Sequence, residues 1–142
     1  MKTVKQLLED KQGSVVSIQP NATVLEALKL MADKNVGSVL ILDGLKLIGI
    51  FSERDYARKV VLLGKSSKDT AVRDIMTHKV LCVRPSNTVD ECMALMTQKR
   101  VRHLPVIDDK RVVGIVSIGD LVKEIIADQQ LTIAQLESYI TS

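Results

Sequence analysis

Apolar residues fall along this chain in one succession of rhythms, and the succession occurs twice. Residues 15–18 and 80–83 are short β-branched runs halted at Pro20 and Pro85, as expected of strands that stop where a backbone donor is lost. Thr23 and Thr88 then open T-V-x-E capping boxes. Behind them Val24, Ala27, Leu28 and Met31, like Val89, Cys92, Met93 and Met96, recur at the spacing of one helical face. Two further apolar runs, 39–42 and 47–51, flank Asp43-Gly44; their counterparts, 104–107 and 112–116, flank Asp108-Asp109, and each pair reads as a hairpin. A second helix is expected after each hairpin, from Asp55 to about 63 and from Asp120 to about 127.

The two copies align without a gap at an offset of 65 residues: Pro20 falls on Pro85, Thr23 on Thr88, Glu26 on Glu91, Gly49 on Gly114, Ser52 on Ser117 and Asp55 on Asp120. A copy of about 47 residues around three strands buries too little apolar surface to stand alone, so the copies should pack together, leaving a cleft between them. The predicted fold is therefore α/β (α+β): two β-α-β-β-α repeats about a pseudo-two-fold axis. Its linear division is 1–64 (first repeat with an N-terminal helix), 65–128 (linker helix and second repeat) and 129–142 (C-terminal helix). The linker helix is expected because VRDIM resembles VKQLL near the N-terminus. In the last stretch Ile133, Leu136 and Ile140 share one helical face, which caps the module or meets a partner.

Composition narrows the function classes. The 142 residues are 46% hydrophobic and 26% charged with a formal net charge of +3, and the charges are interspersed. With only Phe51, Tyr56 and Tyr139 as aromatics there is little to stack bases on, which disfavours a nucleic-acid partner. Charges interrupt the first apolar turn, arguing against a signal peptide or membrane span and for a cytoplasmic location. Cys82 and Cys92 lie in apolar runs outside any metal-ligand spacing and read as small core residues; no metal site is expected. No GxSxG, HExxH or GxxxxGK[ST] element is present, and no histidine lies near Ser52 or Ser117 in sequence, so catalysis is not expected.

The segments with most chemistry are GIFSERD, from Gly49 to Asp55, and GIVSIGD, from Gly114 to Asp120, each at the end of a strand and the start of a helix. A helix start offers amides to an anion, a serine hydroxyl can bond phosphate, and a carboxylate can accept both hydroxyls of a ribose. The same Ser-x-x-Asp is also a capping-box variant that needs no ligand. Capping does not account for a glycine inside a strand in both copies, where something must approach the backbone closely.

The tandem layout, the h-x-P start of each repeat, the hairpins and the doubled G-h-h-S-x-x-D resemble cystathionine β-synthase (CBS) domains over nearly the whole chain, Val4 to Ile126. Paired CBS domains form a Bateman module, and the resemblance implies a free-standing regulatory module that binds an adenosine nucleotide between its repeats and signals to an effector protein. AMP is the first expectation, with ATP, ADP, NAD and S-adenosylmethionine as alternatives, and no catalytic cofactor is implied. Asp55 and Asp120 would hold ribose, and Ser52 and Ser117 phosphate. Val16, Ser17, Ile18 and Pro20, with Leu81, Cys82, Val83 and Pro85, would flank the adenine. Gly49, Phe51, Gly114 and Val116 complete the strand ends. Arg102 and His103, followed by Leu104 and Pro105, match the family's basic residues before the second strand, where the first copy has Gly37-Ser38. Glu53, Arg54 and Arg58 belong to the first copy, against Gly119 and Lys123 in the second, so the two clefts should differ in phosphate affinity. A homodimer is also implied, with Tyr56, Val60, Leu121 and Ile125 at its surface or in the core. The competing reading is a dimerisation or adaptor module with empty clefts.

Overall fold

In the computed structural model, which describes residues 2–11 and 15–141, the capping threonines start helices as the sequence pattern requires. Thr3 and Gln6 form a capping box at α1 (Val4–Asp10), Thr23 caps α2 (Val24–Lys34), and Thr88 with Glu91 forms a second box at α4 (Val89–Lys99). Helices α2 and α4 end at Asn35 and Arg100, both in the left-handed conformation that terminates a helix.

In the first repeat β1 (Ser17–Ile18) runs parallel to β2 (Ser38–Asp43), which pairs antiparallel with β3 (Lys46–Ser52). In the second, β4 (His103–Asp108) and β5 (Arg111–Ser117) form the hairpin. The strand expected at 80–83 contracts to a single parallel bridge from Val83 to Val106, held by the bonds Val83 N to Pro105 O and Ile107 N to Val83 O. Both hairpins turn on two residues, one position later than the sequence signal: Gly44-Leu45, with Gly44 at φ +64°, and Asp109-Lys110, with both residues at positive φ. After β3 the chain makes the short α3 (Glu53–Asp55) and continues as a π-helix over Tyr56–Val61.

The segments that precede the repeats are exchanged in space. Val4 and Leu7 of α1 join the core of the second repeat, with Val83, Val89, Leu104 and Val116. Val72, Ile75 and Met76 of the linker join the core of the first, with Val24, Val39, Ile41 and Phe51. The same hydrogen bonds serve both exchanges: Val4 N to Asn87 O and Lys5 N to Pro85 O on one side, Val72 N to Ala22 O and Arg73 N to Pro20 O on the other. A division at 64/65 therefore separates α1 from the core it completes. The linker helix expected at VRDIM is a single 3-10 turn, Val72–Asp74.

Helix α5 (Ile118–Thr141) is continuous, so the second post-hairpin helix and the C-terminal helix are one element of 24 residues. Val60 and Leu121 are fully buried and belong to the cores, while Tyr56 and Ile125 pack against the two cores and stay partly exposed. Cys92 is core and burial, followed by the charge of Glu91, pushes its thiol up to about 11. Cys82 is exposed, contrary to the expectation that both cysteines are core, because its run makes only the one bridge and leaves its side chain outward. Among the described residues no helix is long and apolar enough to cross a membrane, and no group of three metal-ligating side chains occurs.

Candidate functional site

Both Ser-x-x-Asp segments are helix caps, and their surroundings differ. The Ser52 amide and hydroxyl donate to Asp55 Oδ2 at 3.0 and 3.1 Å, and the Asp55 amide returns a bond to Ser52 Oγ. Asp55 Oδ1 accepts from Thr77 Oγ1 at 3.1 Å and pairs with Lys59 Nζ at 3.2 Å. Both oxygens are engaged inside the protein, and Asp55 is only 8% exposed. Thr77 is positioned there because its backbone pairs with Ile50 on the edge of β3 in both directions, at 2.8 and 3.1 Å.

The equivalent edge of β5 at Ile115 is treated differently. There the Lys11 ammonium donates to the Ile115 carbonyl at 3.0 Å and to Asp120 Oδ2 at 2.9 Å. Asp120 Oδ2 also accepts the Ser117 amide at 2.8 Å, and the Asp120 amide donates to Ser117 Oγ. Among the described residues one flexible side chain thus stands where the first repeat has a paired backbone segment, and a cleft of about 630 Å³ lies beside it. That volume suits a small organic ligand. Its walls come from both repeats: Val15, Val16 and the α2–β2 turn 34–38 from the first, His103, 113–115, Ser117 and Asp120 from the second, with Leu8 and Lys11 of α1. Burial of the Asp120 carboxyl opposes ionisation, but the hydrogen bonds from Lys11 and Ser117 outweigh it and hold the group below the usual carboxylate range. Burial first, and then the charge of Lys11, lowers His103.

The interior glycines are explained by the protein itself. A Cβ on Gly114 would lie 2.6 Å from Leu8 Cδ2, and one on Gly49 would overlap Met76 Sδ and lie 3.1 Å from the Thr77 carbonyl. The close approach expected from a glycine inside each strand is made by the exchanged segments α1 and 72–77. The helix-start amides are largely used as well: Glu53 N bonds Gly37 O and Ile118 N bonds Arg102 O.

Of the other residues singled out from sequence, Val16, His103, Gly114, Ser117 and Asp120 come together at the cleft. Phe51, Val83, Leu104 and Val116 are buried as members of the cores, and Pro105, between Leu104 and Val106 on β4, is buried as well. Ser17 and Ile18 pair with Leu40 and Ile41; Pro20 and Pro85 supply carbonyls to the exchanged segments. Leu81 packs on the second core, and Cys82 lines a separate surface groove with His78 and Lys110. Arg54 reaches Arg100 O at 3.5 Å, while Glu53, Arg58, Arg102 and Gly119 are exposed. The sequence reading missed Leu8, Lys11, Asn35 and Ile115; only the VKQLL similarity pointed toward α1, and nothing indicated that it crosses to the other repeat. His103, distant from Ser117 in sequence, is its cross-strand partner, yet no hydrogen bond joins the two side chains among the described residues.

The geometry agrees with what the chain is similar to. The CBS domain family model matches residues 4–62 and 72–127. The mitochondrial CBS domain-containing protein CBSX3 of Arabidopsis thaliana is 39% identical over 97% of this chain and 71% of its own length. A solved protein with CBS domains from Burkholderia ambifaria is 53% identical, with a TM-score of 0.87 over 90% of this chain and 96% of that one. The CBS domain pair of protein MJ0100, solved in complex with 5′-methylthioadenosine and S-adenosyl-L-methionine, is 27% identical, with a TM-score of 0.80 over 90% of this chain and 98% of that one. With both repeats matched and the fold shared over nine-tenths of its length, the chain belongs to the CBS domain family as a tandem pair.

Proposed function

We propose that this CBS pair is a regulatory module that binds an adenosine nucleotide in the Asp120 cleft, carries no catalysis of its own, and reports occupancy to an effector protein. The observation that carries the reading is the difference between the two aspartates: Asp55 is saturated by Ser52, Thr77 and Lys59, whereas Asp120 sits at an open cleft built from both repeats. In this reading the ribose hydroxyls exchange with Lys11 at Asp120, and the released ammonium, with Lys34 of the same cleft, meets the phosphates. Val16 and Ile115 offer apolar surface to the base. The adenosine ligands of the MJ0100 pair support the ligand class.

A ligand gripped by both repeats favours the arrangement in which they face each other, and that preference is what an effector would sense. The same reading includes a homodimer and a location off the membrane, in the cytoplasm. Calorimetric titration with AMP, ADP, ATP, NAD and S-adenosylmethionine tests it. Binding of at least one, without turnover, is the expected result; no binding by any at millimolar concentration leaves the adaptor reading in its place.

A further inference from the structure

Helix α5 continues well past the module that anchors it. Leu121 is fully buried and Ile125 packs on the second core, but from 126 to 140 every residue is exposed. These 15 residues extend about 22 Å at 1.5 Å per residue. A helix of that length is marginal in water without a packing partner. Its exposed residues are also patterned. Ile126, Ile133 and Ile140 are seven apart, and Val122, Gln129 and Leu136 are seven apart and three or four from the isoleucines. This is the a and d repeat of a coiled-coil seam, with β-branched Ile at every a position and one polar Gln at d. The five apolar members are exposed by 41% (Val122), 49% (Ile126), 54% (Ile133), 57% (Leu136) and 80% (Ile140). Leu131 is exposed too but lies off the seam.

We propose that the seam is covered by the same seam of a second copy, as an antiparallel two-helix coiled coil. The repeat of 3.5 residues is one that only another helix with the same period can match along its length. A contact about 28 Å long, with both helices contributing, buries on the order of 1,200 Å² in total, near the lower bound of a stable specific interface. Charge sets the direction. In an antiparallel pair Ile126 packs on Leu136 of the other copy, Ile133 on Gln129 and Ile140 on Val122, and the flanking e positions then place Lys123 against Glu137 twice, with Gln130 against Gln130. A parallel pair makes neither Lys–Glu contact. The antiparallel arrangement also sets the two modules at opposite ends of the seam. The inference specifies a surface for the homodimer proposed above and is independent of nucleotide binding.

Sedimentation equilibrium on the full chain tests it. Wild type is expected to be a dimer at tens of micromolar. Ile133→Asp, at an exposed position outside both cores, raises the dissociation constant more than about 100-fold by placing an unpaired charge in the seam. Lys123→Glu and Glu137→Lys each weaken the dimer about fivefold, and the double reversal restores it. A monomeric wild type, or a dimer indifferent to Ile133→Asp, overturns the seam; a double reversal that fails to restore association overturns the antiparallel direction. A nucleotide titration of the Ile133→Asp monomer separates the two proposals, since its cleft is intact and its affinity is expected to be unchanged.

Discussion

Replacing each aspartate by alanine separates the two roles that Ser-x-x-Asp can play. Asp55→Ala removes a carboxylate whose side chain is 11% exposed and accepts from the Ser52 amide, Ser52 Oγ, Thr77 Oγ1 and Lys59. The cap is lost, and the Ser52 and Thr77 donors are left in a poorly solvated site. Together these cost about 2–4 kcal/mol of stability, or a fall in melting temperature of roughly 6–15 °C for a chain of this size. Asp120→Ala removes a carboxylate whose side chain is 26% exposed, and water can reach the Lys11 ammonium it leaves behind. The stability cost there is about 1 kcal/mol, that of a cap. Affinity should follow the opposite order. Loss of a charged acceptor for ribose hydroxyls at Asp120 costs about 1.5–3 kcal/mol, roughly 10- to 150-fold in dissociation constant, while Asp55→Ala leaves nucleotide affinity within about twofold. Calorimetric unfolding without ligand and isothermal titration with the tightest nucleotide give both quantities on the same preparations. Equal losses of affinity in the two variants, or a loss confined to Asp55→Ala, would refute the assignment of binding to the Asp120 cleft.

Gly49→Ala is expected to cost about 2–3 kcal/mol and Gly114→Ala about 1 kcal/mol, because the first meets the fixed Thr77 carbonyl as well as Met76, whereas the second meets only the yielding end of Leu8; urea midpoints check the order. Leu121→Ala, at a fully buried site, should lower stability by about 2–5 kcal/mol, and the charge of Leu121→Asp should abolish cooperative unfolding. Acid should destabilise the module in two windows. His103 is held below its usual range by burial and Lys11, so the folded state resists its protonation, and stability present above about pH 6.5 falls as the pH drops toward the folded value. The lowered Asp120 adds a second loss below about pH 4, as its charge is removed and the Lys11 contact with it. Melting curves against pH should lose the upper step in His103→Gln, and the lower one should shrink in Asp120→Asn, with the lowered Glu91 of the α4 capping box supplying the remainder.

How much of this was legible in the sequence depends on the range of the interaction concerned. Capping threonines, helical apolar spacing, turn residues and the repeat at 65 residues are local or periodic, and they located α2, α4, both hairpins and both Ser-x-x-Asp caps. The doubled motif also placed Ser117 and Asp120, and the family resemblance Val16 and His103, among the candidates that meet at the cleft. Which repeat α1 completes could not be read, because Val4 and Leu7 look alike to either core and only long-range hydrogen bonds to Pro85 and Asn87 decide between them. That exchange then settled the rest. It brought Leu8 against Gly114 and Met76 against Gly49, which explains the glycines without a ligand. It zipped Thr77 onto β3, while at β5, among the described residues, the Lys11 side chain takes that place, so two segments with the same motif became one filled cap and one open cleft. Local chemistry is written in neighbouring residues and survives a reading of the chain alone, whereas solvent access at Asp55 and Asp120 depends on segments tens of residues away, whose packing only the tertiary structure fixes.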